Sequence, residues 1–142
     1  MKRVRSCVQT VVFVILFAGC SGGAGAGPVL YDVSGNVALD GKPVSSGEIL
    51  FRATDGKQQT AAGKIVDGKY SLRSEAGAKR VEISSMQKVE GKMAASGTPG
   101  EPSTTPLVEE AIPARYNSDS SLTETVKSDG KNQFDFKLKS AP

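Results

Sequence analysis

The sequence predicts an all-β domain, an antiparallel β-sandwich of about seven short strands. Three observations carry that prediction. Apolar residues alternate with polar ones in short stretches, a period of two that marks strands with one face on a core and one in water. The tripeptide Asp-Gly-Lys recurs between those stretches, and Asp-Gly is a strong hairpin signal because both residues tolerate positive φ. No heptad pattern and no amphipathic helix of useful length interrupts the alternation.

Along the chain, Val33, Gly35, Val37 and Leu39 of "VSGNVAL" share one face. In "GEILFRA" Ile49, Phe51 and Ala53 face one way, with Glu48 and Arg52 opposite. A weaker strand covers 61–66. Then come Tyr70 and Leu72 in "KYSLR", Val81 and Ile83 in "RVEIS", Leu122 and Val126 in "LTETV", and Phe134, Phe136 and Leu138 in "FDFKL". Hairpin corners are expected at Asp40-Gly41, Asp55-Gly56, Asp67-Gly68 and Asp129-Gly130. The competing use of these aspartates, calcium ligation, lacks the D-x-[DN]-x-[DN]-G spacing. Gly35 inside a strand predicts a bulge or a close backbone approach, and Pro43 belongs beside the turn after Leu39 because it cannot donate to a ladder. Residues 87–110 are rich in Gly, Pro, Ser and Thr and lack alternation. They are expected to form a long mobile loop, with a binding loop as the sharper option.

The leader has its own logic. Lys2, Arg3 and Arg5 precede an apolar run that is shorter than the ~20 residues a bilayer span needs, the pattern of a secretory signal. Leu16-Phe17-Ala18-Gly19-Cys20 resembles the lipobox of bacterial lipoproteins, with Phe17 where Leu is usual. The resemblance implies a signal peptide over 1–19, cleavage before Cys20, and diacylglycerol on its thiol. Residues 20–28 then form a lipidated, Gly/Ala-rich flexible tether to a domain over 29–139. The lipid bilayer is the expected partner through acylated Cys20. The competing reading is cleavage near Ala24 or Ala26, which discards Cys20. The expected location is the cell envelope, on the periplasmic or outer face. Ser21 after the cysteine favours the outer over the inner membrane.

Removing 1–19 leaves 15 basic and 15 acidic residues, so the mature domain is near neutral. That argues against nucleic acid as a partner, which calls for a basic face. Cys7 leaves with the signal, so no intramolecular disulfide is expected and the core must hold the fold.

At "VSGNVALDGKPVSSGEILF", "GKIVDGKYSL" and "IPARYNSDSSLTETVKSDGKNQFDFKL" the chain resembles small bacterial lipoproteins with a carboxypeptidase-regulatory-like, transthyretin-like domain. The resemblance covers about residues 30–139, the 87–110 segment excepted. It implies a Greek-key, prealbumin-like β-sandwich and an exported location. It implies no activity, because folds of this kind host many roles. Within "IPARYN", Pro113 is expected to fix a loop entry, and the Tyr116 hydroxyl to find a backbone acceptor.

The chain contains no histidine, which removes histidine-based triads and histidine-ligated metals. With Cys20 acylated, thiolate chemistry goes too. Carboxylate pairs for glycoside chemistry exist on paper as Glu109 with Glu110 or Asp119 with Glu124, but tryptophan is absent and aromatics are few. Ser85 precedes Lys88 at Ser-x-x-Lys spacing without companion motifs. Asn117, Asp119 and Ser121 are candidate calcium ligands, with an Asx- or Ser-turn explaining the same letters. The expectation is a chain with no catalytic residues, no cofactor and no metal. Its expected role is a membrane-tethered structural or protein-interaction module that meets an envelope protein, with a carbohydrate- or small-ligand-binding module as the alternative. Tyr31, Tyr70 and Tyr116 are the tyrosines available for a sugar platform, and Tyr70 reads as core.

Overall fold

The computed structural model describes residues 27–140. The predicted signal peptide over 1–19, the lipidation site Cys20 and most of the 20–28 tether lie outside the described residues. The rest is all-β. Its strands are β1 (Leu30–Leu39), β2 (Lys42–Pro43), β3 (Ser46–Ala53), β4 (Ala61–Val66), β5 (Lys69–Glu75), β6 (Gly77–Ser84), β7 (Met86–Met93), β8 (Pro106–Glu110), β9 (Thr123–Val126), β10 (Asn132–Gln133) and β11 (Phe136–Leu138). A single 3-10 turn, Ala114–Tyr116, is the helical element among the described residues. Each of the predicted alternating stretches contains a strand, the last of them only from Phe136 to Leu138, with Phe134 and Asp135 outside it. The additional segments are β2, the β7–β8 pair and β10.

The main sheet runs β10-β1-β5-β4-β3-β6-β9, with β2 and β11 also on β1. It curls into a half-barrel. The curl has a visible cause at the β4–β5 hairpin, which pairs only at Ile65↔Tyr70 and Val66↔Lys69. Beyond those pairs β4 stays with β3 while β5 stays with β1. A side chain fills the opening: the Leu72 Cβ lies 3.1 Å from where a Cβ on Gly63 would sit. Phe51 of β3 meets Tyr70 and Phe134 at centroid distances of 6.3 and 6.2 Å, and Tyr70 meets Phe136 at 6.2 Å. Val33, Val37, Ile49, Ile65, Val81, Ile83 and Val126 complete the core around these rings.

Two expectations need correction. The ladders are antiparallel except at β1, where β10 and β11 pair in parallel. Alternation reports which face is buried and carries no information on strand direction, so the error was invisible in the letters. The segment 87–110 is also mostly not a loop. Residues 86–93 and 106–110 form a two-stranded antiparallel ribbon, β7–β8, leaving 94–105 as the connection. The ribbon shows no alternation because neither face is buried: Met86, Met93 and Val108 are all exposed.

Three of the four expected corners follow their chemistry; Asp129-Gly130 does not, since neither residue has positive φ and the flanking β9 and β10 lie at opposite ends of the sheet. Asp40-Gly41 (φ 51° and 79°) and Asp67-Gly68 (φ 49° and 76°) have positive φ at both residues, as a type I′ corner requires. At Asp55-Gly56 glycine alone does so, and the Asp55 carboxylate accepts from the Lys57 N–H at 3.1 Å. Pro43 pairs with Ala38 beside the first corner.

Gly35 sits where the last strand crosses β1. A Cβ there would lie 1.8 Å from the Phe134 carbonyl oxygen. The same oxygen accepts the Tyr70 hydroxyl at 2.9 Å, and the Phe134 N–H donates to Ser34 O at 3.0 Å. Between β10 and β11 the Asp135 carboxylate replaces a backbone partner, accepting the Asn36 N–H at 2.8 Å and its side-chain amide at 2.9 Å. Gly35→Ala is therefore expected to destabilise the domain by about 3 kcal/mol or more, read as a lowered urea midpoint. A neutral effect would mean that the crossing strand yields.

Candidate functional site

The densest charge cluster lies on the outer face of β3 and β6. Register places Arg52 directly opposite Arg80, and like charges so placed repel. Glu82, two residues along β6, resolves this. Its Oε2 accepts from Arg52 Nε at 2.8 Å, and its Oε1 accepts from the Arg80 guanidinium. The Glu82 side chain is 9% exposed, against 47% and 44% for the arginines that cover it. Burial alone would raise the Glu82 carboxyl. The hydrogen bonds from Arg52 and Arg80 outweigh that and hold it below the usual carboxylate range. Arg52, Ala53, Thr54 and Arg80 line a shallow groove of about 290 Å³. With two guanidiniums and one carboxylate, the cluster keeps one net positive charge and outward N–H donors suited to a partner's carboxylate.

A second polar cluster lies inside. Lys79 is fully buried, on the same face of β6 as Val81 and Ile83. Its Nζ donates to Gln58 Oε1, while Gln58 Nε2 donates to Ala76 O at 3.0 Å. Glu124 on β9 is the cross-strand partner of Lys79. No carboxylate lies within 4.0 Å of the Lys79 amine among the described residues.

The residues singled out from sequence are dispersed. Glu109 and Glu110 are exposed neighbours on β8, and Glu110 is committed to structure. Its Oε1 accepts the N–H groups of Ser85 at 2.7 Å and Ile112 at 2.9 Å, and its Oε2 accepts from Asn117 Nδ2 at 3.2 Å. Asp119 is exposed in the turn after residue 116, away from any strand, whereas Glu124 is half-buried on β9. Ser85 is buried and donates its hydroxyl to Ser46 O at 2.6 Å, while Lys88 is exposed on β7. Asn117 reaches Glu110, the Asp119 N–H donates to Ala114 O at 2.9 Å, and Ser121 is exposed. No group of three His, Cys, Asp or Glu side chains converges as a metal site among the described residues.

The tyrosines do not form a platform. Tyr70 is buried, and Tyr31 and Tyr116 are half-buried against the core. Burial first, then the charges of Asp135 and Glu124, push the Tyr70 phenol well above its ordinary value. The Tyr116 hydroxyl differs from expectation: it accepts from the Lys139 N–H at 3.4 Å rather than finding a backbone acceptor. Arg115 lies over the Tyr116 ring at 5.0 Å, and hydrogen bonding from Arg115 lowers the Tyr116 phenol. Pro113 does fix the loop entry, as residue before the 3-10 turn at φ −57°. A groove of about 330 Å³ lies along Tyr31, Asp32, Ser34, Lys131, Asn132 and Gln133 at the β1–β10 edge.

Sequence reading missed Glu82, Arg80, Lys79 and Gln58. The signal for Lys79 was present, since the period that buries Val81 and Ile83 also puts residue 79 inward. Gln58 lies in a connection, where no periodicity operates. Compared with models of known protein families, with curated proteins and with solved structures, the chain matches none.

Glu82 supplies a pH test. Its carboxyl is lowered in the folded state, so its contribution is present above the unfolded value of about 4.3 and is lost as pH falls through the folded value. Glu82→Gln is expected to cost about 1–3 kcal/mol at neutral pH, with a difference from the parent that shrinks below about pH 4. Parallel urea titrations at both pH values check this. A constant difference would show that the ionised carboxylate is not the contributor.

Proposed function

We propose that the chain is a non-catalytic β-sandwich module, tethered to the cell envelope by acylated Cys20 and serving as a structural or protein-interaction element there. On this reading the fold is a Greek-key, transthyretin-like sandwich of the carboxypeptidase-regulatory-like lipoprotein kind. The tether rests on the sequence Leu16 to Cys20 behind a charged and apolar leader. The observation that carries the interaction role is the β7–β8 ribbon. It is a two-stranded ribbon with Met86, Met93 and Val108 exposed beside Lys88, Glu90 and Lys92, a mixed surface suited to a protein partner.

Buried polar side chains support the non-catalytic part. Ser85, Ser120 and Asn132 each engage backbone of another segment, which leaves their chemistry committed to the fold. Half-buried Tyr31 and Tyr116 favour this reading over a carbohydrate-binding module, which needs open ring faces.

Two measurements test the proposal. Cys20→Ser is expected to move the protein from the detergent-requiring membrane fraction into the aqueous fraction, because stable anchoring needs more than one acyl chain. Unchanged membrane association in that variant would remove the anchor. The double variant Met93→Asp, Val108→Asp is expected to keep stability within about 0.5 kcal/mol while losing the envelope protein that cross-links to the parent. Retention of the same cross-linked partner would take the ribbon out of the interface.

A further inference from the structure

Lysine is almost never fully buried unless it is paired with a carboxylate. Lys79 has 0% exposure, and its Nζ donates to the side-chain carboxamide of Gln58. A carboxamide is a poor counter-charge for a buried ammonium, but it is an acyl group. The Gln58 side chain is held for that role. Its Nε2 donates to Ala76 O at 3.0 Å, and its two polar atoms lie 3.8 and 3.9 Å from where a Cβ on Gly77 would stand. The carboxamide thus rests on the Ala76–Gly77 backbone, with its oxygen side toward the Lys79 amine. Across the ladder Lys79 pairs with Glu124. Side chains of such a pair share one face with Cβ atoms ~5 Å apart. Glu124 is half-buried, and its charge acts on the interior phenol of Tyr70 behind the larger effect of burial. Amine and carboxamide are therefore in contact, and the Glu124 carboxylate shares their face across the ladder, more than 4.0 Å from the amine and within reach of it by side-chain rotation.

We propose that Lys79 and Gln58 condense to an intramolecular isopeptide bond, with Glu124 carrying the proton. In balanced form, Glu124 takes a proton from the Lys79 amine and the neutral Nζ attacks Gln58 Cδ. The Cδ–Nε2 bond breaks as Glu124 returns that proton to the departing nitrogen, and the second proton that Nζ sheds on becoming an amide N–H converts the released ammonia to ammonium. The products are a secondary amide, Nζ–Cδ, and one ammonium ion, with no oxidant or cofactor required. A lysine amine is a recognised nucleophile, and two groups fixed in contact react as one molecule rather than two. The bond ties the β3–β4 connection to β6. In a chain whose mature part holds no pair of cysteines, it supplies the covalent staple that a disulfide gives other exported domains.

Trypsin digestion of the full chain, followed by mass spectrometry, decides the matter. The expected product is peptide 58–64 joined to peptide 74–80, uncut after Lys79, with a mass one ammonia below the sum of the two. Cyclisation of an N-terminal glutamine also loses ammonia, but it leaves peptide 58–64 separate. Recovery of 58–64 alone together with cleavage after Lys79 overturns the proposal. Gln58→Ala, which removes the acyl group and leaves Lys79 in place, is expected to restore cleavage after Lys79 in the denatured chain. Continued resistance at that site overturns the assignment of Gln58. Glu124→Gln is expected to slow formation of the joined peptide about 100-fold, and an unchanged rate removes Glu124 from the reaction.

Discussion

The structure depends on one crossing, where the last strand is laid across β1 at Gly35. The Phe134 carbonyl occupies the space that a side chain on residue 35 would fill, and it accepts the Tyr70 hydroxyl from β5. This brings three distant parts of the chain into one contact and places Phe134 and Phe136 on the rings of Phe51 and Tyr70. The C-terminal strand runs parallel to β1, packs Phe134 and Phe136 into the curl of the sheet, and is broken in two where Asp135 stands in for backbone. The long sequence separation of these contacts means that the closing step pays the loop entropy last.

Polar groups are arranged around that closure as clamps. The Ser120 hydroxyl donates to Val81 O, Asn132 brackets both backbone groups of Lys127, and the Asp40 carboxylate accepts the Ser140 N–H at 3.1 Å. Each ties a connection to a strand edge and gives a backbone group a side-chain partner. The Arg52–Glu82–Arg80 cluster differs in kind, because its carboxylate is enclosed while its guanidiniums face water. It is stable as built and still offers donors outward, a combination that the inward clamps lack.

How much of this the letters carried follows from what alternation measures. Val33, Val37, Ile49, Phe51, Val81 and Ile83 were legible as one interior because a half-buried strand writes its burial every second residue. Gly35 was legible as a close approach, though not what approached it. Strand direction was not legible, since a parallel and an antiparallel β11 bury the same Phe136 and Leu138. The ribbon was not legible because a hairpin wet on both faces has no pattern to leave. Glu82 and Gln58 were hidden for a related reason: their environments are made by partners about 20 or more residues away, Arg52 in one case and Lys79 in the other.

The ribbon also shows how an exposed element can be held without a core of its own. Glu110 at the end of β8 accepts N–H groups from Ser85 before β7 and Ile112 after β8, and the Ala111 N–H donates back to Ser85 O at 2.8 Å. Ser85 in turn donates to Ser46 O, and Ile112 is buried in the core. The two strands are therefore pinned together at their base and to the sheet, while the apolar side chains farther out add nothing to the core. A hairpin so fixed is anchored to the half-barrel at its base even though its surface is open. Its exposed methionines and valine lie on a hydrogen-bonded ribbon rather than on an irregular loop, and a partner that meets them loses less entropy on binding.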